Sequence, residues 1–82
     1  MAGGSPQDTR RASLILAQVI EKLGQPSRAE ELCLAVLTDP QAEENIRNEA
    51  FNTLGRIYAG QKYYEKAALA FAGILPQGAD IP

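Results

Sequence analysis

The stretch Phe51-Asn52-Thr53-Leu54-Gly55-Arg56-Ile57-Tyr58, followed by Tyr64-Glu65-Lys66-Ala67-Ala68-Leu69-Ala70-Phe71, decides the fold. Apolar residues recur in each half at intervals of three and four, the period of one face of an α-helix. Gly60-Gln61 lies between them and predicts a turn. The small residues Gly55 and Ala67 predict a close crossing of the two helices, with Phe51, Tyr58, Tyr64 and Phe71 filling the space around it. The first helix of this pair is expected from about 41 to 59, with Ile46, Ala50, Phe51, Leu54, Ile57 and Tyr58 inward. The second is expected from about 63 to 75, with Tyr64, Ala67, Ala68, Phe71 and Leu75 inward and Pro76 and Gly78 closing it.

The N-terminal half carries the same punctuation. Ser5-Pro6 suits an N-cap with proline in the first turn, and Asp8 opposes the helix dipole there. Ala12, Ile15, Leu16, Val19, Ile20 and Leu23 form an apolar stripe that predicts the buried face of this helix. Gly24 and Pro26 end it. Ser27-Arg28-Ala29-Glu30 reads as a capping box for the next helix, whose inward face is Ala29, Leu32, Cys33, Val36 and Leu37. Asp39-Pro40 ends that helix and opens the third. No segment alternates with the period of a half-buried strand. The expected fold is all-α, in two antiparallel helical hairpins. Residues 1–5 are read as a flexible N-terminus and 6–75 as one domain, with hairpin one at about 6–38 and hairpin two at about 40–75. Residues 76–82 are read as a tail.

Shifting the chain by 38 residues superposes the hairpins: Leu16-Ala17 falls on Leu54-Gly55, Val19-Ile20 on Ile57-Tyr58, and Arg28-Ala29 on Lys66-Ala67. Cys33 falls on Phe71, and Val36-Leu37 on Ile74-Leu75. The second copy resembles the tetratricopeptide repeat, in which an aromatic, Leu-Gly and Tyr on one helix precede Ala and Phe on the next. The first copy departs from that pattern, with Ala17, Ile20 and Cys33 in place of Gly, Tyr and Phe. The family's period is about 34, and the surplus is assigned to 39–44, as one added turn at the front of the third helix.

Composition narrows the function. Among 82 residues there is no His and one Cys, so the commonest general base, an intrachain disulfide and a structural zinc site are absent together. Lys plus Arg is 8 against 10 Asp plus Glu, a net charge of −2, which gives no basic surface for nucleic acid. Tyr58, Tyr63 and Tyr64 therefore read as packing and surface residues rather than a base-stacking platform. Leu14 to Ile20 is too short and too polar for a membrane span, and a cytoplasmic setting is the default. Arg10-Arg11-Ala12-Ser13 matches a basic pattern that kinases accept at Ser13, and reads as solvated helix. Glu30-Glu31 and Glu43-Glu44 point about 100° apart on a helix and read as solvated faces. Cys33 lies on an apolar stripe and reads as core. No catalytic, metal or cofactor site is expected.

What remains is contact surface. The resemblance implies a groove lined by the first helix of each hairpin, here Arg11, Leu14, Gln18 and Lys22, then Glu49, Asn52, Arg56 and Ala59. Leu14 and Gln18 stand where some family members begin a carboxylate clamp, so a chaperone's C-terminal tail is not the expected ligand. The fourth helix is apolar on more than one face, and Leu69, Ile74 and Leu75 are expected to meet a further repeat, a partner or a second copy of the chain. The expected function is a non-enzymatic module that binds a protein segment or self-associates, within a scaffold or secretion assembly. The alternative is a small accessory or regulatory domain of an enzyme that acts by packing.

Overall fold

The computed structural model describes residues 6–75, and among them it is all-helical. Four helices follow in order: α1 (Pro6–Lys22), α2 (Pro26–Leu37), α3 (Glu44–Gly60) and α4 (Tyr64–Phe71). α1 packs on α2 and α3 on α4 across short turns, while α2 and α1 both pack on α3. This arrangement is compatible with two stacked hairpins. The expected cap at Ser5, the closing residues Pro76 and Gly78, the flexible start and the tail lie outside the described residues.

α3 is the centre of the core. Its whole expected stripe, Ile46, Ala50, Phe51, Leu54, Ile57 and Tyr58, is buried. Ala29, Cys33, Val36 and Leu37 of α2 are buried as expected, with Leu32 packed beside them. The outer helices differ from expectation. On α1 the buried residues are Leu14 and Ala17, whereas Ala12, Ile15, Leu16, Val19 and Leu23 are exposed. Ile20 alone of the expected stripe packs against the core. On α4 the buried residues are Ala67 and Ala70, whereas Tyr64, Ala68 and Phe71 are exposed. Among the described residues each outer helix has neighbours on one side only, which leaves these apolar side chains uncovered.

The helix ends are closed by one device used three times. After α1, the Gly24 N–H donates to the Glu21 carbonyl and the Gln25 N–H to Ile20. After α3, the Lys62 N–H donates to Ala59 and the Tyr63 N–H to Tyr58. After α4, Gly73 donates to Ala70 and Ile74 to Leu69. This paired pattern needs a left-handed residue just past the helix. Gly24 (φ 88°) and Gly73 (φ 81°) supply it without steric cost, and Lys62 does so at φ 68° with a side chain. The turn expected at Gly60-Gln61 thus falls one to two residues later, and Gly60 is still helical.

The starts differ too. Pro26 fixes the first turn of α2 one residue ahead of Ser27, so no side-chain cap forms and the expected capping box is absent. Glu30 is instead engaged by α3, as described below. Residues 39–43 form a loop rather than an added turn of helix. Asp39 Oδ1 accepts from the Gln41 N–H at 2.9 Å, and Asp39 Oδ2 accepts from Arg10 Nε and Nη2, both at 2.7 Å. Gln7 brackets the same loop, donating to the Gln41 carbonyl (2.8 Å) and accepting from the Glu43 N–H (3.2 Å). Asp39 is thus committed to α1 and to its own turn and is not a helix cap. Its carboxyl is held below the ordinary range, first by the Arg10 hydrogen bond and then by the Gln41 N–H.

A side chain in the left-handed region costs roughly 1 kcal/mol that glycine does not incur. Lys62→Gly is therefore expected to raise stability by about 0.5–1 kcal/mol in urea denaturation, and Gly24→Ala to lower it by about as much. An unchanged or lowered midpoint for Lys62→Gly would show that Lys62 carries a compensating contact.

Candidate functional site

α3 presents Glu49, Asn52, Thr53 and Arg56 at intervals of three and four, and so along one face. α1 adds Gln18 and α4 adds Phe71, and the six residues line one open pocket of about 360 Å³. Four of the eight residues expected in a groove, Gln18, Glu49, Asn52 and Arg56, are therefore brought together. Arg11 and Lys22 are exposed on α1 but do not line the pocket. Leu14 requires correction: at 1% exposure it is core, and no ligand in a groove could reach it. Ala59 is half-buried and packs against the core. Of the residues expected to meet a further unit, Ile74 is exposed and Leu69 and Leu75 are half-buried.

Two lining residues were not foreseen. Thr53 is fully buried, and its hydroxyl donates to the Glu49 carbonyl (2.9 Å) and accepts from Gln18 Nε2 (3.4 Å). This chain of bonds ties α1 to α3 at the pocket floor. Phe71 was expected in the core. Its ring instead lies over Gly55 with one side open: a β-carbon at Gly55 would come within 2.6 Å of it. The missing side chain at Gly55 seats the aromatic wall of the pocket. The small residues of the motif could have revealed this, since a close approach needs something to approach.

The interface between the hairpins is pinned by polar groups. The Tyr58 hydroxyl donates to Glu30 Oε2 at 2.6 Å, so Glu30 is not part of a solvated face. Arg47 Nη1 donates to the Leu37 carbonyl at 3.2 Å. The Ser13 hydroxyl donates back to the Thr9 carbonyl within α1. A second pocket, of about 370 Å³, is lined by Lys62 to Lys66 alone. It is the outer side of one turn and joins no separate elements. Tyr63 and Tyr64 are exposed there, and Lys66 Nζ lies 5.6 Å from the Tyr63 ring.

Among the described residues, no three His, Cys, Asp or Glu side chains converge as metal ligands. No described helix is long and apolar enough to cross a membrane. The Cys33 thiol is pushed up to about 12, chiefly by burial and then by the Glu30 charge. No family model, curated protein or solved structure matches the chain.

Three outcomes follow. Native Cys33 is expected to resist a thiol reagent at neutral pH and to react fully in denaturant; fast labelling of folded protein would contradict its burial. Because the thiol is raised in the fold, its contribution is present below the unfolded value and is lost as pH climbs from about 8.5 toward 12. Gly55→Ala gains up to about 1 kcal/mol of helix propensity but displaces the Phe71 ring. It should therefore be more favourable in a Phe71→Ala background, with a coupling of about 1 kcal/mol in a double-mutant cycle. Additive effects would mean that the ring yields freely.

Proposed function

We propose that this chain is a non-enzymatic protein-interaction module, built from two tetratricopeptide-like hairpins, that receives a helix or peptide of a partner along α1, α3 and α4. One observation carries the reading. Side chains from three helices converge on one open pocket with an aromatic wall, Phe71, and opposite charges at Glu49 and Arg56. Such a surface offers apolar area for affinity and fixed polar groups for orientation, the composition of protein-binding sites. The setting proposed is cytoplasmic, where a single reduced thiol is ordinary. A second reading, an accessory domain that acts by packing, is favoured by the exposed stripe Ile15, Leu16, Val19 and Leu23 on α1.

Panning a random peptide library on the immobilised chain separates the two. Selected peptides should bind Arg56→Glu or Glu49→Lys about tenfold more weakly, while Arg28→Glu, outside the pocket, leaves them unaffected. Peptides indifferent to both charge reversals, or no selection at all, would remove the groove reading. Weakening by Leu16→Glu alone would favour packing.

A further inference from the structure

The repeat register shows what each unpartnered face is shaped to meet. Among the described residues α3 has a hairpin before it and α1 has none, while each packs on the second helix of its own hairpin. Positions buried on α3 but exposed on α1 are therefore those that a preceding hairpin covers. Thr53, Leu54 and Ile57 are at most 1% exposed, whereas their counterparts Ile15, Leu16 and Val19 are 57%, 50% and 48% exposed. Ala50 and Ala12 differ in the same way. The converse holds at the other end, since α2 has a hairpin after it. Cys33 and Val36 are 0% and 4% exposed, whereas their counterparts Phe71 and Ile74 are 53% and 48% exposed.

The described residues thus carry both halves of their own internal interface, each unmatched among them. We infer that the outer face of α1 docks on the α3–α4 face of a second copy, repeating head to tail the packing of α3 on hairpin one. The polar residues agree with this occupant. Inside the chain, Tyr58 on one side meets Glu30 on the other. At the copy-to-copy contact the equivalent positions are Ile20 and Ala68, both apolar, so this pair strands no buried polar group. The Gln18–Thr53 pair becomes Arg56 facing Ile15, where the arginine stem can cover the aliphatic side chain. The two faces are different surfaces, so the contact is heterologous and does not close at two copies. The inference rests on reading the α3–α4 face as a protein-binding one, and names its partner as α1 of another copy.

The full chain should show, in sedimentation at several hundred micromolar, an average mass that rises with concentration beyond twice its 8.8 kDa. Leu16→Glu blocks one face and Ala68→Glu the other, both at exposed positions, and each alone should weaken association about tenfold or more. Their equimolar mixture should restore a one-to-one dimer and nothing larger, because one intact copy of each face remains. Val19→Glu with Ile74→Glu provides a second pair with the same expectation, and circular dichroism confirms retained helix. A monomeric wild type, a symmetric dimer, or a mixture that does not associate overturns the inference. Monomeric wild type with peptide selection intact removes this partner alone; loss of both removes the binding face itself.

Discussion

Burial of α3 against three neighbours is the constraint on which everything else depends. α1, α2 and α4 each pack on it, and a small domain has little core to spare. Past its first two turns, α3 therefore exposes only Asn52, Arg56 and the terminal Gly60. The strip that faces the pocket carries Glu49, Asn52 and Arg56, and Thr53 lies at its base. The same packing that fills the core leaves the pocket-lining strip as its residue. Gly55 adjusts the remaining side by letting the Phe71 ring descend onto the backbone.

Legibility in the sequence follows from how many sides of a helix are covered. Every apolar position expected inward on α3 is inward, because almost any direction from that helix leads to protein. On α1 the same spacing argument selected Ile15, Leu16 and Val19, which face water, and passed over Leu14. Periodicity finds an apolar face but not which neighbour covers it. α1 has two apolar directions, and its partners α2 and α3 occupy the one that includes Leu14 and Ala17. The misreading of Leu14 as a groove residue is the other side of the same error.

The turns show a second limit. Gly24 was readable as a stop because glycine advertises the left-handed conformation. Lys62 adopts it with no such signal, and so the sequence places the turn between α3 and α4 at Gly60-Gln61. Asp39 looked like a cap because its type suits one, yet its carboxylate is taken by Arg10, distant in sequence. Pro26 and Ser27 both suit a helix start, and the ring of Pro26 wins because it fixes the backbone itself. Where two local signals compete, or a remote partner claims the side chain, single-sequence reasoning has no means to choose.

The two kinds of hairpin contact then differ in character. Within the chain, Tyr58 with Glu30, Gln18 with Thr53 and Arg47 with the Leu37 carbonyl fix how the hairpins sit. Each such bond contributes only about 1 kcal/mol net, but a misplaced register would strand its buried groups at greater cost. Apolar area supplies the affinity, and these bonds choose one alignment. The outward faces hold the apolar area without the pins: Ile20 and Ala68 stand where Tyr58 and Glu30 would be. A contact formed there has drive but little to enforce register. It should be reversible and tolerant of a sliding partner, whereas the internal contact is fixed in register by its hydrogen bonds. On the proposed self-association, that asymmetry would make one short chain a fixed structure inside and an adaptable surface on its outward faces.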